Sequence, residues 1–592
     1  MNLNYQKRKN TELFKSLEQS NTLFLSQTQN YIPIYNRFFS LNETNYNNIN
    51  LNHNWHITSI NEREADKVCF PCKIKSTATE KSKTKDIFFK LAPLLDPYKY
   101  LIGKYKLSEH LFDLPTLKEE PSEVNAKLLD VNNSAYVDGF FVYLTSCLNE
   151  QSNFIHGIQY YGSFLSIKRD YKINVADDLD YLTNSDFFVK NKGVLFQIQD
   201  YEHLYRDEAI KKKPIKISSF TSDISIGALD PEVELFQDPF DESLFEEEES
   251  TLVDLTNVNL LELEESSNHL RSTTIRTSST CSSRTSHTLS NCEENVVGTG
   301  GGEEDIPSSL DGKEEKEGEG EEDVWEDDVS GDSSGGDYDD DFEIFATLLK
   351  FPVQVIAMEH CEDTLDNLIL DKLSTEEWLS ALMQIIMMLI TYQKVYSLTH
   401  NDLHTNNVMY IKTSQKFIYY KYNEVVYKVP THGRIFKIID FGRSIYTFQG
   451  KVFCSDSFQN GNDAASQYNT EPYFNDKKPR LEPNFSFDLC RLACSIFDYL
   501  VPDLAELKTI ASCEDPIKRI IVEWCLDDNG VNLLYKNNGD DRYPDFKLYK
   551  MISRFVHKHT PQQQLARPEF HQFSVFKGEP PKEESVIDID KY

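Results

Sequence analysis

The stretch HNDLHTNN, residues 400–407, is the most informative part of the chain, and it follows a long predicted amphipathic helix. Within it Asp402 is followed five residues later by Asn407, so that a carboxylate and an amide share one short loop. The carboxylate can orient a hydroxyl group and accept its proton. The amide oxygen can hold a Mg²⁺ ion that is bound to nucleotide phosphates. One short loop therefore carries a group that can act on a hydroxyl and a group that can bind a metal ion.

A second stretch, IIDFG at residues 438–442, supplies a further carboxylate for the metal. An apolar strand delivers Asp440, and a Phe and a flexible Gly follow it. Either stretch alone would occur by chance in many chains. The two stretches together are improbable by chance, because they occur in this order and follow a predicted strand and a helix predicted over about residues 375–396. We therefore expect the side chains of the two stretches to converge on one metal ion.

Together the two stretches resemble the catalytic motifs of the protein-kinase superfamily. The resemblance extends along residues 55–215 and 343–575. It implies an α+β fold with two lobes, in which a small β-rich N-lobe precedes a helical C-lobe. It also implies a protein kinase, which transfers the γ-phosphate of its co-substrate ATP to a protein hydroxyl with Mg²⁺ as cofactor. The absence of a recognisable tyrosine-specific signature favours serine or threonine over tyrosine as the acceptor.

The resemblance assigns roles to single residues of the two stretches. Asp402 would be the catalytic carboxylate that receives the acceptor hydroxyl. His404 would bond a phosphate oxygen or brace the loop. Asn407 and Asp440 would hold the metal, and His400 would support the loop structurally.

Four further residues would bind ATP. Lys90 closes an apolar strand as Ile-Phe-Phe-Lys and would contact the α- and β-phosphates. Met358 would stand at the gatekeeper position before the hinge. The backbones of Glu359 and Cys361 would bond adenine. The alternative for Lys90 is a solvated charge at the end of a strand.

Two carboxylates would support the site from outside the loops. Asp488, in the segment SFDLCRLA, resembles the aspartate that opens the buried helix beneath the catalytic loop, where it would bond loop backbone. Lys90 needs a carboxylate partner near a helix predicted over about residues 134–148. Asp138 is the first candidate and Glu150 the second. Asp138 could equally be a solvated first-turn residue that the helix dipole favours.

The chain departs from the superfamily pattern in two places. Between Leu51 and Ile102 there is no glycine, so that no Gly-rich loop can approach the phosphates closely. The segment QYNTEPYF at residues 467–474 stands where an Ala-Pro-Glu segment is usual. Two other functions therefore stay open. One is a pseudokinase that binds nucleotide or partners without turnover. The other is a small-molecule phosphotransferase, in which a histidine at the position of His404 is also found.

The formal net charge of −35 is concentrated in one segment. Residues 230–345 hold 36 Asp and Glu against 5 Lys and Arg, and the rest of the chain is nearly neutral. High charge with low hydrophobicity predicts a disordered insertion over residues 216–342. Two interpretations of this segment stay open. It is a solvated spacer, or its Ser/Thr-rich stretch at residues 271–290 has a function, as a phosphorylation site or as a binding site for a basic partner.

The predicted organisation has six segments. They are a loosely ordered polar leader (residues 1–50), the first part of the N-lobe (51–215), the acidic insertion (216–342), the second part of the N-lobe with the hinge (343–361), the C-lobe (362–575) and a tail (576–592). In addition, residues 154–167 are predicted as a pair of strands, and residues 417–428 as a hairpin.

The polar, Asn-rich start of the chain has no signal peptide, and the longest apolar run, residues 381–390, is too short to span a bilayer. We expect a soluble intracellular protein, cytoplasmic or nuclear, that binds ATP and a protein substrate but no membrane. Nucleic-acid binding is not expected, because the acidic segment would repel phosphate. The Asn-rich leader and the segment LAPLLDPYKY at residues 91–100 are similar in style to kinase-like proteins of large DNA viruses.

Overall fold

A computed structural model of the chain has a mixed α+β structure with one large antiparallel sheet, several small sheets and a set of buried helices. It describes residues 3–64, 67–117, 124–176, 178–199, 343–504, 507, 510, 513–536, 538–544, 546–575 and 586–592. The predicted acidic insertion, residues 216–342, lies outside the described residues.

The strands and helices are numbered in chain order. The strands are β1 (Tyr5–Lys7), β2 (Leu25–Gln29), β3 (Ile49–Leu51), β4 (Trp55–Ile60), β5 (Phe70–Ser76), β6 (Ser82–Pro93), β7 (Tyr160–Asn174), β8 (Phe196–Ile198), β9 (Phe345–Glu359), β10 (Asp363–Thr364), β11 (Val408–Lys412), β12 (Phe417–Tyr422), β13 (Val425–Pro430), β14 (Arg434–Ile438), β15 (Ile445–Phe448), β16 (Lys451–Cys454) and β17 (Val586–Asp588). The helices are α1 (Thr11–Glu18), α2 (Pro97–Leu101), α3 (Ala126–Leu129), α4 (Ser134–Ser152), α5 (Leu179–Thr183), α6 (Asp186–Asn191), α7 (Leu365–Leu370), α8 (Thr375–Tyr396), α9 (Phe487–Leu500), α10 (Pro516–Trp524), α11 (Lys547–Phe555), α12 (Pro561–Gln564) and α13 (Pro568–His571).

Seven strands form the large sheet, in the order β2-β7-β9-β6-β5-β4, with β8 paired to β9 beside this path. Every pair of neighbours is antiparallel. All residues of β9 from Phe351 to Glu359 are buried. A strand covered on both faces has no polar side to show, which accounts for its nearly continuous apolar sequence.

Helix α4 packs against β7 and β9 of the large sheet. It begins at a side-chain cap, because Asn133 Oδ1 accepts a hydrogen bond of 3.1 Å from the N–H of Ala135. Gly139 permits a close approach to the sheet, since a Cβ atom there would lie 2.2 Å from Nε2 of Gln354 in β9. The preceding residue, Asp138, is buried as a result.

Helix α8 is buried along most of its length against α10, α12 and α13. A reciprocal capping box fixes its start, because Ser374 accepts from the N–H of Glu377 and the Glu377 carboxylate accepts from the N–H of Ser374. Among the described helices it alone is long and apolar enough to cross a membrane, but 89% of its most apolar window is buried inside the protein. This burial is typical of the core helix of a soluble protein.

Three small sheets lie close to α8 or follow it in the chain. β10, β11 and β14 form an antiparallel sheet, and β15 and β16 form a hairpin. The hairpin predicted for residues 417–428 is confirmed as β12 and β13, and β17 adds to β12 in parallel. The last residues of the predicted tail are therefore part of the fold.

The structure differs from the prediction of a loosely ordered leader at residues 1–50. This segment forms β1, α1 and β2, and Leu17 of α1 is completely buried in the main core. The asparagines that suggested disorder hydrogen-bond each other, since Asn10 Nδ2 lies 2.6 Å from both Asn30 Oδ1 and Asn50 Oδ1. Buried polar side chains that satisfy one another are compatible with packing, so an Asn-rich composition was a poor guide here.

The strand pair predicted for residues 154–167 is also different in the structure. A single strand, β7, begins only at Tyr160. The residues before it turn against the end of α4, where the N–H of Ile158 donates to Thr145 Oγ1 and Asn149 Nδ2 donates to the carbonyl of Gly157. These hydrogen bonds replace strand pairing.

We expect the substitution Leu17→Ala to lower the free energy of unfolding by about 2–5 kcal/mol, because it leaves a cavity where α1 packs on the sheet. The matched control is Leu370→Ala, since Leu370 is 63% exposed and its loss should change stability by less than about 0.5 kcal/mol. Urea unfolding of both variants measures the difference. Equal midpoints would show that α1 does not contribute to the core.

Candidate active site

The ammonium group of Lys90 is the centre of the candidate site. Its Nζ lies 2.7 Å from Asp138 Oδ2 and 3.0 Å from Asp440 Oδ1, and the side chains of all three residues are at most 7% exposed. The sequence named these residues separately, and the structure brings them together from β6, α4 and the loop after β14. Lys90 is therefore not a solvated charge at a strand end.

Strand register explains the position of Lys90. It lies opposite Ile356 of β9, in the interior of the sheet. Burial alone would lower the pKa of Lys90, but the charges of Asp138 and Asp440 outweigh burial and raise this pKa above its ordinary value. Lys90 is a cation at neutral pH for this reason.

Asp138 also connects helix α4 to the loop that carries Asp440. Its second oxygen, Oδ1, accepts a hydrogen bond of 2.8 Å from the N–H of Phe441. Asp440 itself has a left-handed backbone with φ of 61°, a conformation that is uncommon for residues other than Gly, although Asp adopts it more readily than most. The bond from Phe441 helps to hold this backbone in place.

Glu150, the second candidate for the Lys90 partner, lies elsewhere. Its carboxylate accepts from the N–H of Asn54, at 3.1 and 3.2 Å, near the other end of α4. Asp138 is four residues into the helix and Glu150 is close to its end. The two carboxylates therefore face different parts of the molecule.

Asp488 binds the backbone of the loop of residues 400–407. Its Oδ2 accepts from the N–H of His400 and its Oδ1 from the N–H of Asn401, both at 2.9 Å. Asp488 lies in the first turn of α9 and is fully buried. A carboxylate at this point aligns two successive backbone groups of the loop, as the sequence led us to expect.

The side chain of His400 fastens the same loop to the strand before Asp440. Its Nε2 lies 2.9 Å from the carbonyl of Ile439, while its Nδ1 accepts a hydrogen bond of 3.3 Å from the N–H of Asp402. Asn401, between them, has φ of 63°, and its Nδ2 donates to the carbonyl of Arg443 at 3.1 Å. The loop is thus fixed to both the α9 side and the Asp440 side.

Asn407 is oriented by two hydrogen bonds of its amide nitrogen. Nδ2 donates to the carbonyl of Asp402 at 2.9 Å and to His404 Nε2 at 3.0 Å. The carbonyl of Asn407 accepts from the N–H of Ile439, which brings the two loops side by side. In the part of the chain that the structure describes, no hydrogen bond uses the amide oxygen of Asn407.

The residues expected to hold Mg²⁺ fit that ion in donor chemistry. Mg²⁺ is usually bound by one or two carboxylates together with phosphate oxygens and water. Asp440 supplies a carboxylate and Asn407 an amide oxygen, on adjacent loops. Within the described residues no group of three or more His, Cys, Asp and Glu side chains forms an all-protein metal site. A two-ligand site that relies on phosphate oxygens is consistent with both observations.

His404 is neutral at physiological pH. Burial lowers its pKa to about 4, although the charge of Asp402 acts in the opposite direction. Because its Nε2 accepts from Asn407, its proton is on Nδ1. His404 therefore orients the Asn407 amide and contributes no positive charge.

The segment predicted to be the hinge leaves the large sheet at the end of β9. Met358 and Cys361 are buried, at 6% and 7% exposure. The Glu359 carboxylate pairs with the buried Lys437 of β14 at 2.6 Å, and its backbone N–H donates to the carbonyl of Gln159. Backbone contacts of Glu359 and Cys361 with adenine stay a prediction.

Sequence reasoning missed the residues that fix the segment after Asp440. The buried Arg443 forms an ion pair with the partly exposed Asp463, and the charge of this partner raises the pKa of Arg443 although burial acts to lower it. Asp456 pairs with Lys127 and accepts from the N–H of Ser134 at the start of α4. The sequence offers one hint of this, the position of Arg443 directly after Gly442; nothing in it marks Asp456 or Asp463.

Tyr549 is a second residue without a signal in the sequence. Its hydroxyl donates a hydrogen bond of 2.8 Å to Asp402 Oδ1. The two residues are 147 positions apart, and Tyr549 lies on α11, in a stretch that resembles no motif. Asp402 is only 2% exposed in this arrangement.

We expect Lys90→Met to lower the free energy of unfolding by about 3–5 kcal/mol, because it leaves two buried carboxylates without their cation. Lys412→Met is the matched control. Lys412 also pairs with a carboxylate, that of Glu362, but on the surface, so its loss should leave stability nearly unchanged. Thermal or urea unfolding of both proteins checks the difference, and similar losses would contradict the buried pair.

The lowered pKa of His404 predicts an acid-sensitive fold. Folding favours the neutral ring, so its contribution is complete above the ordinary pKa of 6.5 and is lost as the pH falls through about 4. His404→Gln should therefore lose less unfolding free energy than the wild type between pH 7 and pH 4.5. The substitution His360→Gln on the surface serves as control. An identical pH dependence in all three proteins would refute the burial of a neutral His404.

Comparison with known proteins leaves the function to be argued from the site. No family model matches the chain, and no curated protein matches it.

Proposed function

We propose that this chain is an ATP-dependent phosphotransferase of the protein-kinase type, acting on serine or threonine hydroxyls of a protein. The observation that carries the proposal is the buried contact of Lys90 with Asp138 and Asp440. A scaffold has no physical need to bury a cation between two carboxylates next to a loop that presents Asp402 and Asn407. A phosphate-binding site needs such a cation.

The order of the strands supports a two-lobed arrangement. The five strands β4, β5, β6, β9 and β7 are neighbours in one antiparallel sheet, and α4 lies in the chain between β6 and β7. This is the organisation expected of the N-lobe of a kinase. The buried helices α8 and α9 would then belong to the C-lobe, with the segment after β9 as the hinge between the lobes.

The proposed reaction is an in-line displacement at the γ-phosphorus of ATP. The acceptor oxygen forms a bond to phosphorus, the bond to the oxygen bridging the β- and γ-phosphates breaks, and ADP leaves. The hydroxyl proton passes to Asp402, which the hydrogen bonds of Asp488 to its loop hold in position. Most of the rate would come from this orientation and from charge stabilisation.

The remaining groups would act on the phosphates. Lys90 would contribute the positive charge for the α- and β-phosphates. Asp440 and Asn407 would hold Mg²⁺, whose chemistry at this place is the neutralisation of phosphate charge. His404, being neutral, would keep the Asn407 amide turned toward the ion.

The missing glycines favour one alternative, a pseudokinase. The strands β4 and β5 and the residues between them contain no glycine, so that the backbone there cannot approach phosphates as closely as a Gly-rich loop does. Against this alternative, the chain has all three groups that would act on the metal and on the acceptor hydroxyl, namely Asp402, Asn407 and Asp440. We therefore favour turnover.

The test is transfer of the γ-phosphate from labelled ATP with Mg²⁺, comparing the wild type with Asp402→Asn on a panel of protein and small-molecule acceptors. We expect labelled protein product, and a loss of at least about a hundredfold in the variant, because the acceptor proton loses its base. Asp515→Asn is the matched control. Asp515 caps α10 away from the site, and asparagine is an equally good cap.

Each other outcome would contradict a different part of the proposal. Nucleotide binding without product in any of the proteins would establish the pseudokinase. Labelled sugars or amines together with unlabelled proteins would establish a small-molecule phosphotransferase. An equal rate for the wild type and Asp402→Asn would mean that Asp402 is not the base.

A further inference from the structure

The carboxylate of Asp402 has a hydrogen-bond donor that neither stretch of the catalytic loops supplies. The phenolic hydroxyl of Tyr549, on α11, lies 2.8 Å from Asp402 Oδ1. The Tyr549 residue is 1% exposed, so that water does not compete for this bond. A donor that is fixed and desolvated orients a carboxylate more firmly than solvent can.

Tyr549 is itself held in a fixed position. Arg491 Nε donates to its hydroxyl oxygen at 3.0 Å. Its ring stacks on Phe546 with centroids 4.9 Å apart and meets Phe487 at 6.1 Å. The hydroxyl therefore accepts from a cation and donates to a carboxylate, and the direction of the O–H bond is defined.

Two of the supports of Tyr549 come from the helix that also binds the catalytic loop. Arg491 and Phe487 belong to α9, as does Asp488, which binds two N–H groups of the loop. Helix α9 thus controls the backbone of the loop directly and the Asp402 side chain through Tyr549. Tyr549 belongs to the main core. A side chain that merely covered the site would lie at the surface instead.

We propose that Tyr549 is a positioning residue that holds Asp402 in the orientation required to receive the acceptor proton. The inference rests on the proposed function. A carboxylate has two oxygens and about four lone-pair sites. Donation from Tyr549 to Oδ1 is therefore compatible with a second hydrogen bond from an acceptor hydroxyl, and it restricts rotation of the carboxylate about its Cβ–Cγ bond.

Tyr549→Phe tests this inference because it removes one oxygen atom and keeps the ring. We expect kcat to fall about tenfold or more, while KM for ATP changes little. The thermal unfolding midpoint should also fall, because the substitution takes one hydrogen-bond partner from each of the buried side chains of Arg491 and Asp402. A residue with a merely structural role would change stability together with both kinetic constants. The experiment uses the full chain with Mg-ATP and the protein acceptor that is labelled most strongly by the wild type.

Tyr535→Phe is the matched control. Tyr535 also donates to a carboxylate, Asp498 Oδ1 at 2.6 Å, but away from the candidate site, so its loss should leave kcat unchanged. Site-specific replacement of Tyr549 by 3-fluorotyrosine restores a hydroxyl donor of nearly the same shape. We expect it to recover most of the turnover that Tyr549→Phe loses, even if the phenylalanine variant is less stable.

The possible results separate this inference from the proposed function. An active wild type whose kcat is unchanged in Tyr549→Phe would overturn the inference and leave the kinase assignment intact. A faster Tyr549→Phe variant would also overturn it, because Tyr549 would then be occupying the place of the acceptor. A wild type that transfers no phosphate to any acceptor would overturn the proposed function first, and the positioning role with it.

Discussion

The burial of one cation between two carboxylates constrains the rest of the structure. Lys90 can be charged inside the protein only if Asp138 and Asp440 reach it, because an isolated ammonium in such a place would lose several kcal/mol of hydration. The contact therefore fixes three otherwise independent elements: the register of β6, the depth at which α4 packs, and the path of the chain after β14. Gly139 serves the same constraint, since it lets α4 approach β9 closely enough for Asp138 to reach the cation.

Helix α9 imposes a second constraint on the site. Asp488 accepts from two successive N–H groups of the loop, and Arg491, one turn later, fixes the hydroxyl that contacts Asp402. Side chains three residues apart on a helix lie on one face, so a single buried helix can organise both the backbone and the side chain of the loop. The candidate site is therefore preorganised between a sheet-bound cation and a helix-bound carboxylate.

The sequence predicted the candidate site better than it predicted the boundaries of the fold. Lys90, Asp138, Asp440 and Asp488 were found because each stands in a short local pattern, an apolar strand end or a helix start, that can be recognised without the fold. The leader was misjudged because its asparagines satisfy one another only in three dimensions. Tyr549 could not be found at all, since its contact with Asp402 joins residues 147 positions apart and no local pattern marks either end of α11.

The position of the long insertion follows from the same sheet. The chain leaves the large sheet after β8 and returns in β9, and these two strands pair directly, with Ile198 opposite Ala346. Because the ladder holds both ends together, lengthening the connection costs little, about 0.6 kcal/mol for each doubling of its length. An insertion at the hinge or between Asp402 and Asn407 would instead separate groups that must meet within 3 Å of one another. The sheet can therefore accept a large acidic segment at a place where the geometry around Lys90 is unaffected.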